Sequence, residues 1–345
     1  MNMKVRALAA GQHGLITRRQ AVDCGMKPEQ IDRLVRRGTW TIVRRGVYVE
    51  TAIAEAAHSH RHKRILIDAA ASLRIRGPHV WSHHSAAHLL DLAVLHEPHP
   101  ITHVTRTGIV GSHDRRDIKH HRAPYPPSAV VGAAGISCLD AARTALDITR
   151  EHGYLQGLVA ADSALRSGSS LDDLRSAREL MRSWPHSTVM DDVLASAHPD
   201  TDSVGETLTR VLVAELGFGV PQVQFGLAAG GRVAWCDLRL GRHTFEFDGE
   251  LKYIPTDQGG FATTDPARVV WLEKQRQDFV CGFKIGMSWV VWSDLWGAQR
   301  AVTRDRLIRE YLDTCRLFGT DISDLAQYRP RGERRRPGVR RLDAA

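Results

Sequence analysis

The sequence predicts an α+β / α/β multidomain chain in three main parts: a small head of short helices and a hairpin, a mostly helical middle region, and a C-terminal mixed sheet flanked by helices. Three observations predict this. The chain has 345 residues, more than one hydrophobic core usually supports. Its first fifty residues pass from short helical stripes to alternating β-branched runs. Residues 203–295 read as helix, three strands, helix, strand, the order of a sheet with helices packed on it. Hydrophobic residues at 43% and charged residues at 25% exclude a wholly disordered chain. No apolar run has the roughly 18–20 residues needed to cross a bilayer, and the N-terminus has no apolar core of signal-peptide length. The five cysteines are scattered and form no CxxC pair. A soluble, cytoplasmic protein with no membrane association and no disulfide or cysteine-zinc scaffold is expected.

The net charge is +8, and it is unevenly spread. Residues 1–50 hold ten Lys/Arg against four Asp/Glu, and residues 329–345 hold seven Arg against two acids, leaving the stretch between them slightly negative. Clustered cations are the footprint of a polyanion partner, most often nucleic acid. Arg outnumbers Lys 40 to 7, which a GC-rich coding sequence alone could also produce. The tail RPRGERRRPGVRRLDAA has no hydrophobic period and is broken by Pro and Gly. It reads as a basic disordered arm that either tracks a phosphate backbone or is a solvated terminus.

In the head, residues 4–10 form a short helix that Gly14 ends. Thr17 is a good N-cap for a helix over Arg18–Asp23, closed by Gly25. Pro28 suits the first turn of a third helix, Pro28–Arg37, ended by Gly38. There Ile31, Leu34 and Val35 make one buried stripe, with Arg33, Arg36 and Arg37 outside it. Trp40–Val43 and Val47–Val49 flank Arg44-Arg45-Gly46, a hairpin with an arginine tip. Together these elements make a winged helix-turn-helix. Its third helix would lie in the major groove of double-stranded DNA, with the hairpin arginines on phosphate or in the minor groove. A winged helix used for protein contacts is the competing reading.

The segment GLITRRQAVDCGMKPEQIDRLVRRGTWTIVRRGVYV resembles the N-terminal domain of AbiEi-type antitoxins of type IV toxin–antitoxin and phage-defence systems. The resemblance implies operator binding, repression of the protein's own operon and a cognate toxin partner. It places DNA contacts on Arg33, Arg36, Arg37, Arg44 and Arg45, and Arg18 and Arg19 complete the expected DNA-binding set.

Residues 51–200 read as mostly helical. Ala54–Ile75, WSHHSAAHLLDL, ISCLDAARTALDIT, YLQGLVAADSALRSG and SLDDLRSARELM have helical character, with one short strand at ITHVTRT. Thirteen of the eighteen histidines lie between His58 and His121. They fall on several elements without metal-ligand spacing, so they read as surface or core histidines. SHHSAAHLLDL and ARTALDI also resemble the region that follows the AbiEi-like head in actinobacterial proteins.

Between 203 and 295 the sequence suggests a helix at Ser203–Leu216, strands at Val223–Leu227, Val233–Leu240 and Thr244–Asp248, a helix at Ala267–Cys281 and a buried strand at Met287–Trp292. If Gly241-Arg242 is the hairpin loop, Leu240 pairs with His243 and Asp237 lies opposite Glu246, with Asp248 on the same face. Opposed Cβ atoms are only ~4.5–5.5 Å apart, so these acids repel unless a cation joins them. Hard oxygen ligands suit Mg²⁺, with Mn²⁺ as a substitute. A solvated acidic face explains the same alternation, and Ser203-x-x-Glu206 also reads as a capping box.

SVGETLTR, VAWCDLRL, HTFEFDGELKY, WLEKQRQD and MSWVVWSDLW, in that order, resemble the DUF559 group of PD-(D/E)XK, Vsr-like nuclease-fold domains. The resemblance implies a restriction-endonuclease-like mixed sheet. In it Glu206, Asp237, Glu246, Asp248, Lys252 and Lys274 form the catalytic set, and Asp237, Glu246 and Asp248 are the metal ligands. Asp248 stands where the motif has lysine, so Lys252 or Lys274 would supply the missing charge, joined by Arg276 and Asp278.

The expected organisation is a winged helix at 1–50, a helical middle at 51–200, a nuclease-like domain at 201–297, a C-terminal helix at 298–328 and a basic tail at 329–345. The expected function is an antitoxin-like DNA-binding autorepressor carrying a nuclease-fold domain. The alternative is a Mg²⁺-dependent DNA endonuclease targeted by its winged helix.

Overall fold

The computed structural model describes residues 3–249, 266–331 and 334. The chain divides into two compact units, residues 1–197 and 198–345.

The first unit opens with α1 (Met3–Ala10), β1 (Ile16–Thr17), α2 (Arg18–Asp23), α3 (Pro28–Arg36), β2 (Trp40–Arg44) and β3 (Val47–Glu50). Thr17 caps α2 as its sequence predicts. Its hydroxyl accepts from the Gln20 N–H, and the Gln20 side chain returns a bond to the Thr17 N–H. Gly25, Gly38 and Gly46 all take positive φ where the chain turns. The three strands pair in the order β1-β3-β2, so the hairpin and third helix make a winged helix with a short extra strand. Ile31 of α3 is buried with Val5, Ala21, Trp40 and Tyr48, and Trp40 stacks on Tyr48 at 5.7 Å. The other face of the hairpin, through Val47 and Val49, packs with Leu15 into a second core shared with the following region.

That following region is not mainly helical. It runs α4 (Thr51–Ala56), α5 (His60–Ser72), β4 (Val80–Trp81), α6 (His83–Leu89), β5 (Thr102–Arg106), β6 (His113–Asp114), β7 (Ile118–Arg122), β8 (Val130–Ala133) and β9 (Ile136–Leu139). Four helices follow: α7 (Ala141–His152), α8 (Tyr154–Arg166), α9 (Leu171–Glu179) and α10 (Ser187–Ser196). The six strands form one mixed sheet in the order β6-β7-β5-β4-β9-β8, which corrects the expected helical middle. The strands are two to five residues long, too short for alternation to stand out from a helical stripe. ISCLDAARTALDIT shows the problem: Ile136–Leu139 is a strand, and the helix starts only after Asp140, whose side chain caps the Arg143 N–H. Four of the histidines, expected at the surface or in the core, come together against this sheet: His83 and His84 of α6, His103 of β5 and His121 of β7 are buried in one group.

The second unit follows the order read from its sequence: α11 (Val204–Ala214), β10 (Gln222–Ala229), β11 (Arg232–Leu240), β12 (His243–Asp248), α12 (Pro266–Cys281), β13 (Gly286–Val291) and α13 (Gly297–Phe318). The sheet order is β10-β11-β12-β13, antiparallel except for the parallel β12–β13 pair. Gly230 and Gly231 both take positive φ in the first hairpin turn, as a two-residue loop that matches strand twist requires. Phe225, Leu227, Ala234 and Cys236 pack with Val280 and Ile285. The first part of the basic tail lies on this unit: Arg329 sits 4.4 Å from the Phe225 ring centroid, and Arg334 pairs with Asp202. The rest of the tail lies outside the described residues. All five cysteines are free thiols. Among the described residues no helix is long and apolar enough to cross a membrane.

Gly205 joins α11 to the sheet. A Cβ there would sit 2.0 Å from the Phe247 ring, and Phe247 is fixed edge-on against Trp292. Gly205→Ala is expected to destabilise the protein by about 1–3 kcal/mol through overpacking, measured by urea denaturation. An unchanged midpoint would show that the helix can lift off without cost.

Candidate carboxylate site and nucleic-acid interface

The β11–β12 ladder has the anticipated register at its closed end: Leu240 pairs with His243, Arg239 with Thr244 and Leu238 with Phe245. The next pair, Asp237 with Glu246, is not made by the backbone. Instead the Asp237 carboxylate accepts the Phe247 N–H at 2.9 Å. The side chain acts as a wedge that ends the ladder where the acids begin.

Three acids meet around that wedge. Burial pushes Asp237 well above the ordinary carboxylate range, and the charges of Glu246 and Glu206 push it further. Glu246 is 2% exposed and is raised by burial, against the opposing pull of Arg276. Glu206 is raised by burial as well. It does cap its helix, as the sequence allowed: the Ser203 hydroxyl accepts from the Glu206 N–H, and the Glu206 carboxylate accepts from the Asp202 N–H at 2.9 Å. The same carboxylate also receives the Gln224 side-chain amide at 3.3 Å, so capping and site-building are not exclusive here. Asp248 is half-buried at the end of β12, beside Val291 of β13.

Among the described residues, Arg276 is the cation paired with Glu246. Its guanidinium donates to Glu246 at 2.5 Å and to the Trp235 carbonyl at 2.6 Å. Lys274, two residues away, is exposed, and Lys252 lies outside the described residues. Sequence reasoning also missed Gln224. It sits in β10 at φ +53, 6% exposed, a left-handed conformation that a mid-strand residue adopts only when its surroundings impose it. The β10–β11 register places it level with Asp237. Nothing in sequence marks such a residue, because glutamine has no preference for that conformation. Beyond burial, the charges of Glu246 and Glu206 raise Asp237, Arg276 opposes the rise at Glu246 and Arg334 opposes it at Glu206; carboxylate oxygens are the donor class that suits Mg²⁺.

The second candidate surface is on the first unit. Arg33, Arg36 and Arg37 are exposed at the end of α3 and just beyond it, and Arg45 is exposed at the wing tip. Arg18 is held between α2 and α3 by a two-point bridge to Asp32, at 2.6 and 3.1 Å, and by the Tyr48 hydroxyl. Arg19 is exposed and lies 3.7 Å from Asp23. Arg44 is largely covered and faces Asp117 at 3.9 Å. Behind the wing, a cleft of about 1200 Å³ is lined by Arg44, Arg45, Arg74, Arg76, Arg106, Arg115 and Arg116, with Asp117 as the acid among its lining residues. The last five arginines were not singled out in sequence, since they come from three separate places: the segment after α5, the end of β5 and the β6–β7 turn.

A basic third helix, an arginine-tipped wing and an arginine-lined cleft give the first unit a cationic face on a winged-helix frame. The family model described as "transcriptional regulator, AbiEi antitoxin" matches residues 3–51, which is the winged-helix segment together with the first residue beyond it. No curated protein matches the chain.

The raised Asp237 sets a pH dependence. An acid whose folded pKa exceeds its unfolded value loses stability as pH rises through that window, because the unfolded chain then holds fewer protons. Stability of the second unit should therefore fall from the ordinary carboxylate range upward. Asp237→Asn keeps an acceptor for Phe247 and removes the charge, so it should raise the neutral-pH midpoint by about 2–4 °C, roughly 1 kcal/mol. Melting curves between pH 4 and 8 test this. A midpoint lowered at neutral pH would refute the repulsion.

Proposed function

We propose that the protein is an antitoxin-type DNA-binding regulator that represses its own operon, with a second unit that is a PD-(D/E)XK-like nuclease-fold domain. The observation that carries this reading is the set of exposed arginines on α3 and the wing, within the segment that the antitoxin regulator family matches. The cleft behind the wing extends the cationic surface onto the six-stranded sheet, so the footprint on duplex DNA exceeds that of the winged helix alone. Such a regulator works in the cytoplasm beside a cognate toxin, and co-purification with the product of the neighbouring gene tests that partnership.

Footprinting on the upstream duplex tests the main reading. Affinity should fall steeply with salt, and each phosphate-contacting arginine replaced by alanine should reduce the salt slope by about one. Arg33→Ala, Arg36→Ala, Arg37→Ala and Arg45→Ala are expected to weaken binding. Arg18→Ala acts by loosening α2 from α3. No protection of the upstream region would refute autorepression.

The gathered acids favour a second reading, a metal-dependent DNA endonuclease. Asp237, Glu246 and Asp248 would hold Mg²⁺, which supplies an activated water and charge neutralisation at a scissile phosphate. Gln224 would hold Glu206, the Phe247 N–H would orient Asp237, and Arg276 would fix Glu246. Lys252 and Lys274 remain the candidates for the motif lysine. Nicking of supercoiled DNA with Mg²⁺ or Mn²⁺ is expected to disappear in both Asp237→Asn and Glu246→Gln. Cleavage unchanged by either substitution would remove these residues from the assignment.

A further inference from the structure

The histidine group in the six-stranded sheet is built unlike ordinary core. His83 and His84 begin α6, His103 lies on β5, His121 on β7, and His152 ends α7. Glu97 reaches the group from the loop after α6. The rings pack closely: His83 lies on His121 at 3.8 Å between centroids, and His84 meets His152 edge-on at 4.5 Å. Both nitrogens of His84, Nε2 of His103 and Nε2 of His152 are buried without a well-formed hydrogen bond, their polar neighbours being Glu97 and Gln156. Buried polar atoms are nearly always satisfied, so this many in one place calls for an occupant. His83 also holds φ +49, strain of a kind that concentrates at ligand sites.

The spacing identifies the occupant. Ligand atoms of His84, Glu97, His103 and His152 all lie within 4.8 Å of one another. His84 Nδ1 and His152 Nε2 stand 3.4 and 3.5 Å from the same Glu97 oxygen. Four ligands at about 2.0–2.1 Å from a tetrahedral ion are separated by about 3.3–3.4 Å, so two edges of that tetrahedron are already in place. His103 Nδ1 contacts His121 Nε2 at 3.0 Å, which leaves Nε2 of His103 for the metal, the arrangement by which an outer partner fixes a ligand's tautomer. Burial holds these imidazoles below their ordinary pKa, His84 at about 3, and the neutral ring is the form that ligates. Of the cations acting on these rings, Arg64 is matched by Asp68 and Lys119 by Glu151, and Glu97 is the acid within the group that balances a metal charge.

We propose that His84, Glu97, His103 and His152 form a closed four-ligand site for a borderline divalent metal, Zn²⁺ by ligand class, which ties α6 and its following loop to β5 and α7. His121 is a positioning residue. With all four positions taken by protein the site is structural, since a catalytic zinc keeps one open.

The test uses the full chain, stripped with a chelator and titrated with Co²⁺ alone. About one Co²⁺ per chain should bind, with the intense visible bands of four-coordinate cobalt and no sulfur-to-metal charge-transfer band. Zn²⁺ should displace it and restore the thermal midpoint that stripping lowers. Glu97→Gln should abolish the four-coordinate spectrum, and His121→Gln should weaken binding roughly 10–100-fold. Because the titration is done on the unaltered chain, a variant that fails to fold does not blunt it. A six-coordinate spectrum, a thiolate band, or a midpoint indifferent to Zn²⁺ would each overturn the proposal.

Discussion

The second unit is organised around a conflict of charge. Glu206, Asp237 and Glu246 come from a helix and two strands and lie largely out of water; burial raises all three, and the charges of Glu246 and Glu206 raise Asp237 further. A fold that only needed stability would place apolar residues there, because desolvating charge costs more than most pairings return. The local structure is shaped to hold the acids together all the same. Asp237 ends the ladder by taking the Phe247 N–H, Gln224 accepts a left-handed backbone and donates to Glu206, and Arg276 reaches from α12 to Glu246. Strain and repulsion kept in one place are what a site for a cation or a reacting phosphate requires. Arginine is also a particular choice of partner. It stays charged at any working pH and anchors Glu246, but it does not donate its proton as a lysine can.

The first unit solves the opposite problem. Its arginines divide into those matched within the fold and those left outward. Arg18 is closed off by Asp32, and Arg64 and Arg143 are buried against acids one helical turn away. The exposed set on α3 and the wing carries the cationic field. Composition could not separate the two groups, because both contribute equally to the net charge.

What the sequence disclosed follows from the range of the interaction concerned. The Thr17 cap and the glycine turns depend on neighbours three residues away or fewer, and each was legible. The Gly241-Arg242 turn set the register from Leu240–His243 to Leu238–Phe245, because ladder pairing propagates from a tight turn. It failed one pair later, where a side chain replaced the backbone partner. The six-stranded sheet was hidden because β4 and β6 have two residues each and gain stability only from neighbours far along the chain. The histidine group was hidden for the same reason: its ligands span residues 84 to 152 on four segments, so the spacing rules that detect local zinc motifs do not apply.

The extent of the family match bears on how the head works. Residues 3–51 are the segment that the antitoxin regulator model recognises, but they are not the whole of a folding unit. Leu15, Val47 and Val49 are fully or almost fully buried together with Trp81, Val104, Cys138 and the Ala69–Ala71 turn of α5. The wing therefore rests on the six-stranded sheet, and Arg44 at the tip end of β2 faces Asp117 from the β6–β7 turn. A winged helix on a flexible tether can reorient on DNA, whereas one that shares a core cannot do so without exposing that core. The orientation of α3 and the wing is thus set by packing that extends to Cys138 of β9. The arginines of the cleft are held at fixed positions relative to those on α3 by the same contacts. Under the proposed function, DNA recognition would be a property of the whole first unit, with the helix and wing as its leading edge.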